Sequence, residues 1–118
     1  MTDLMLPAMN YKASHRFARI APRKARLVAD LIRGMRIDVA MNELDFSKKR
    51  AAWYLKAVLK SAIANAEEKD ANVSTLIVSE SRVDEGPTIK RFRPKDRGRA
   101  HPIRKRTCHL HIVLEERG

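Results

Sequence analysis

Residues Val83 to Thr107 read VDEGPTIKRFRPKDRGRAHPIRKRT, and the fold follows from how this stretch is held. Between Thr88 and Arg106 it carries nine cations, Lys90, Arg91, Arg93, Lys95, Arg97, Arg99, Arg104, Lys105 and Arg106, against the single acid Asp96. That is a net +8 in nineteen residues of a chain whose total is +11, so the remainder holds only +3. Charge this concentrated marks a polyanion-binding site. Gly86-Pro87, Pro94, Gly98 and Pro102 disfavour helix throughout. An extended reading sets Arg91, Arg93, Lys95, Arg97 and Arg99 at every second position, and a period of two places them on one face of a strand. At about 3.3 Å per residue a twelve-residue limb reaches ~40 Å. Ile89 and Phe92 lie among the cations, where an apolar side chain stacks on or wedges between bases.

Both flanks are strand-like. Thr75 to Val83 places Leu76 and Val78 on one face and Ile77 and Val83 on the other. In Thr107 to Leu114, Cys108, Leu110, Ile112 and Leu114 alternate with Thr107, His109 and His111. The basic stretch reads as a β-hairpin whose ends belong to a sheet; the alternative is a disordered basic loop of nonspecific affinity, against which Ile89 and Phe92 argue. A further strand is expected from Tyr11 to Ile20, with Tyr11, Ala13, His15 and Phe17 on one face and a slip of phase after it. That strand also carries Arg16 and Arg19.

Three helices separate the first strand from the rest. Pro22 suits a first helical position, Ala25, Val28, Leu31 and Ile32 recur at helical spacing with Leu27 beside them, and Gly34 is a natural stop, giving a helix over 22–33. Ala21 is a poor N-cap, and Arg23, Lys24 and Arg26 crowd a first turn where the helix dipole disfavours cations. They read equally as ligands of an external anion and as a solvated face. Ile37, Ala40, Met41 and Leu44 form a short second helix with Asp38 near its start. Ser47 is the expected N-cap of the third, whose Leu55, Val58, Leu59, Ala62, Ile63 and Ala66 follow the helical rule without a miss. Lys48, Lys49 and Arg50 make a second basic cluster at its start, and Lys56 and Lys60 lie opposite its apolar stripe. The fold class is α+β: three helices on a small three-stranded antiparallel sheet, with a long extended hairpin.

A chain of 118 residues, 44% apolar, buries roughly 65% of its unfolded surface around one core, filled by aliphatic residues because aromatics are few. We expect one domain over 10–118 and a flexible tail over 1–9. The pI of about 10.4 points to nucleic acid or an anionic membrane as partner. Cys108 is the one cysteine, so no internal disulfide forms. No apolar run approaches the ~20 residues of a membrane helix. The N-terminal MTDLMLPAMN carries an acid and a proline where a signal peptide wants cations and an apolar run. A cytoplasmic protein is expected.

Catalytic chemistry finds no support. His15, His101, His109 and His111 lack a nearby nucleophile other than Cys108, which alternation places on the apolar face. His109-x-His111 lacks a third metal ligand at a sensible spacing. No metal or cofactor is expected. A helix-turn-helix reading of the first two helices fails on the second, which carries Asp38 and Glu43 and no cation after Arg36.

The hairpin stretch resembles the hairpin of the bacterial large-subunit ribosomal protein numbered twenty-two. RIAPRKARLVADLIRGM (Arg19–Met35) resembles that family's first helix, and SAIANAEEKD (Ser61–Asp70) the end of its long helix. The likeness runs from about Tyr11 to Leu114. Ala21 stands where serine is common, and Met1–Met9 has no counterpart. The resemblance implies a structural, non-enzymatic constituent of the large ribosomal subunit. Its body would sit beside the exit of the nascent-peptide tunnel, among neighbouring large-subunit proteins. Its hairpin would run inward through rRNA. The tip, Ile89, Lys90, Arg91, Phe92, Arg93, Pro94, Lys95, Asp96, Arg97, Gly98, Arg99 and Ala100, would line the tunnel and meet the nascent polypeptide. The implied rRNA ligands are Arg16, Arg19, Arg23, Lys24, Arg26, Lys48, Lys49, Arg50 and the nine cations of the arm. Neither a homo-oligomer nor a membrane partner is implied.

Overall fold

A computed structural model describes residues 10–95 and 99–116, with 89–105 described through its backbone. The expected tail, Met1 to Met9, and the middle of the expected tip, Asp96 to Gly98, lie outside these residues. The elements in chain order are β1 (Asn10–Ala18), α1 (Pro22–Ile32), α2 (Ile37–Phe46), α3 (Arg50–Glu68), a 3-10 turn (Val73–Thr75), β2 (Leu76–Glu85), β3 (Ile89–Lys95), β4 (Arg99–Lys105) and β5 (Cys108–Glu116). The fold is α+β, as its alternation and helical spacing predict. β1, β5 and β2 form an antiparallel sheet in that order, with β5 in the middle, and β3 and β4 form a separate ribbon.

One sheet face is the core. Leu76, Val78, Cys108, Leu110, Ile112 and Leu114 are fully buried there against Ala25, Val28 and Ile32 of α1 and Leu55, Leu59, Ala62 and Ala66 of α3. α2 packs on α3 through Ile37, Ala40 and Leu44. The other sheet face is polar and of mixed charge. Arg82 lies 3.7 Å from Glu80 and 3.8 Å from Asp84. His111 sits between Ser14 (2.7 Å) and Asp84 (3.1 Å).

β2 is an edge strand, and an unpaired edge invites aggregation. Here α1 and the segment after it cover that edge. Arg26 and Arg33 donate to the carbonyls of Val83 and Ser81 at 3.2 and 2.6 Å. Gly34 N–H donates to Val78 O, and Val78 N–H to Met35 O, both at 2.8 Å. Gly34 makes this close turn at φ +85°, where a side chain is strained.

Five local expectations need correction. The β1–β5 register slips between His15 and Ala18, and Phe17, at φ +59°, turns outward to 60% exposure instead of joining Tyr11 and Ala13. A similar irregularity between Val78 and Glu80 brings Val83 onto the core face with Leu76 and Val78. Leu31 is exposed with Leu27, because the buried stripe of α1 runs through Ala25, Val28, Ala29 and Ile32. Ser47 ends α2; α3 starts at Arg50 with Lys49 as its N-cap, and the Ser47 hydroxyl accepts from Lys49 N–H. Thr107 is not on the polar face of β5 but buried beneath the hairpin.

Candidate nucleic-acid interface

The ribbon leaves the body at a tight root. Beyond the pair Glu85↔Cys108, residues 86–88 on the outgoing limb face only 106–107 on the return, and pairing resumes at Ile89↔Lys105. Pro87 has no N–H to give the ladder. Instead Gly86 N–H donates to Thr107 O at 3.0 Å, and the Thr107 hydroxyl donates to Pro87 O at 2.6 Å. Only glycine fits this crossing, since a Cβ at Gly86 would lie 2.6 Å from Thr107 Oγ1 and 3.3 Å from its carbonyl. The two limbs of the root are therefore held in close contact where they leave the body.

Beside this root α1 opens a cleft of about 630 Å³, lined by Pro22, Arg23, Arg26, Glu85, Gly86, Thr88, Arg106 and Thr107. Three guanidiniums there face one carboxylate. The first turn of α1 has no capping side chain and no acid, so dipole and side chains act with the same sign. Arg23 and Arg26 thus meet Arg106, eighty residues on, in one anion-attracting hollow. Arg26 is also a structural residue, because one of its nitrogens holds Val83 O. Burial pushes the Cys108 thiol above its ordinary range, with Arg26 opposing this in part, so the cysteine under the cleft is a neutral core residue.

Along the ribbon the backbone register decides which cations meet. The seven pairs run from Ile89↔Lys105 to Lys95↔Arg99. Strand alternation puts Arg91, Arg93 and Lys95 on one face, and the register adds Arg99, His101 and Lys105 from the return strand. The single five-cation strand face is corrected accordingly. The chain reverses after Lys95, and Arg99 keeps its place on that face only as the partner of Lys95. Arg97 lies outside the described residues. Seven-residue strands extend about 23 Å beyond the root, short of the ~40 Å of an unbroken limb. Two pairs, Lys90↔Arg104 and Lys95↔Arg99, set like charges directly opposite one another, which destabilises an isolated ribbon. Pro94 and Pro102 are tolerated because each strand of a two-stranded ribbon has an outer edge.

The other expected cations lie elsewhere on the body. Arg16, Arg19 and Lys24 are exposed around β1 and α1, outside the residues that line the cleft. Lys48, Lys49 and Arg50 are exposed at the α2–α3 junction. His109 and His111 are engaged in local polar contacts: His109 Nδ1 accepts from Phe17 N–H at 3.0 Å, with the two rings edge to face at 4.9 Å, and His111 meets Ser14 and Asp84. Among the described residues no group of three His, Cys, Asp or Glu is placed to hold a metal ion.

The site is thus an α+β body that carries a cation-rich ribbon rooted beside a basic cleft. Residues 13–115 match the family model described as "Ribosomal protein L22p/L17e". Over 104 residues the chain is 51% identical to "Large ribosomal subunit protein uL22" of Magnetococcus marinus, covering 87% of this chain and 92% of that relative. The chain belongs to the ribosomal protein L22 family, the family that its three motifs resemble. It is a structural, non-enzymatic constituent of the large ribosomal subunit.

Proposed function

We propose that the chain binds large-subunit rRNA through its ribbon and root cleft, and that the tip, residues 89–100, lines the nascent-peptide tunnel of the bacterial cytoplasmic ribosome. The observation that carries the RNA reading is the ribbon's register. It sets Lys90 against Arg104 and Lys95 against Arg99, an arrangement that phosphates lying along the ribbon relieve. The root cleft supports the same reading, since Arg23, Arg26 and Arg106 converge on a hollow fit for a phosphate. Arginines spread along a ribbon suit A-form RNA, which is recognised through phosphates and 2′-hydroxyls rather than base edges. The mixed-charge outer sheet face, with Glu80, Asp84 and His111, is the less favourable side for a polyanion. The tunnel position, the nascent-chain contact and the neighbouring proteins rest on the family resemblance.

The test is a competition between large-subunit rRNA and duplex DNA of equal length for the full chain. We expect roughly tenfold or greater preference for rRNA, because the arm follows RNA shape. Equal or tighter binding to DNA contradicts the proposal.

A further inference from the structure

Two aromatic side chains stand outside the core at the α2–α3 corner. Phe46, the last residue of α2, is 85% exposed, and Trp53, in the first turn of α3, is 68% exposed. α3 spends its apolar stripe on Leu55, Val58, Leu59, Ala62 and Ala66, so Trp53 faces away from the core. Its orientation is nevertheless set. The indole meets Tyr54 edge to face at 5.0 Å, and Tyr54 in turn meets His15 of β1 at 5.4 Å. Arg50 meets the same tyrosine, donating to its hydroxyl at 3.3 Å with the guanidinium carbon 5.8 Å from the ring centre. An ion pair between Asp45 and Lys56 ties the end of α2 to α3 one turn beyond Trp53.

Between the two aromatics run Ser47, Lys48, Lys49 and Arg50. The three cations are exposed and make no ion pair among the described residues. α3 begins there with no side-chain cap and no acid in its first turn. Uncapped amides, three cations and two exposed rings are the elements of a single-strand RNA site, in which bases stack on aromatics while cations follow the phosphates. The run of three adjacent exposed cations favours a polyanion as the occupant.

We infer that this corner is a second RNA contact, separate from the ribbon, where an unpaired base stacks on Trp53 beside Phe46 and the adjoining phosphates lie on Lys48, Lys49 and Arg50. The inference rests on the reading that the chain binds rRNA. Trp53 is the only tryptophan in the chain, so its emission reports this corner alone. The experiment titrates the full chain with a fluorescein-labelled single-stranded adenylate RNA at low salt, following RNA anisotropy and Trp53 emission together. Saturable quenching of Trp53 in step with anisotropy is expected. Trp53→Ala is expected to weaken binding roughly 5- to 100-fold, and Trp53→Phe to restore most of it. Quenching should persist when Arg91 and Arg93 are changed to alanine. Unchanged Trp53 emission with RNA bound overturns the inference and leaves the RNA-binding reading standing. Absence of any RNA binding overturns both.

Discussion

Excising residues 89–105 and closing the chain with an Asn-Gly turn leaves a folded body that binds large-subunit rRNA on the order of a thousandfold more weakly at moderate salt. The segment removes eight cations and one acid, so the net charge falls from +11 to +4. Among the described residues β3 and β4 pair only with each other, and the buried side chains that the structure describes all lie in the body. The root contacts, Gly86 N–H to Thr107 O and the Thr107 hydroxyl to Pro87 O, are outside the excision. The two properties therefore separate. Circular dichroism melting should show one cooperative transition near that of the intact chain, while filter binding shows the lost affinity. A body that no longer unfolds cooperatively would place the ribbon in the core, against this account.

The second large effect lies in the sheet. Ile112→Ala should lower stability by about 3–4 kcal/mol, within the range for deleting a buried isoleucine side chain to alanine. Ile112 is fully buried on β5, the central strand, between the β1 and β2 registers at Ala13 and Ser81. The surrounding elements are held from both sides, so the cavity cannot easily collapse. Against a typical total of about 5–15 kcal/mol, such a loss is a large fraction. Urea denaturation measures it as a fall in midpoint at unchanged slope. Val39→Ala on the exposed side of α2, 44% accessible, is the control and should change stability by less than about 0.5 kcal/mol. A loss below about 1 kcal/mol at Ile112 would mean that the sheet face is not the core described.

The parts of the fold that could be read in advance are those whose pattern is local and long. The stripe from Leu55 to Ala66 and the alternation from Cys108 to Leu114 identify α3 and β5, because helical and strand periods leave no rival assignment over that length. The misreadings fall where a backbone irregularity shifts the phase. A left-handed residue at Phe17 and an extra residue near Ser79 each move the next side chain to the opposite face, and neither position holds a glycine to announce it. Leu31 lies outside the buried stripe although its spacing is helical, because spacing alone does not say how wide that stripe is. The candidate site divides in the same way. The basic arm is visible as composition. The root cleft is not, because Arg23, Glu85 and Arg106 come together only through the covering of β2 by α1 and the Glu85↔Cys108 pairing. Thr107 carries no signal of its own beyond a polar residue at a strand start. The exposure of Phe46 and Trp53 was equally hidden, since only the packing of α2 on α3 decides which apolar residues are left outside.

The most direct measurement of the central claim, that phosphate contacts along the ribbon hold the chain to rRNA, is the equilibrium affinity of the full chain for large-subunit rRNA between 50 and 200 mM monovalent salt, about the range over which such contacts are read. Six ribbon cations on six phosphates predict a slope of log K against log salt of about −4 to −5. A slope near zero would contradict the account.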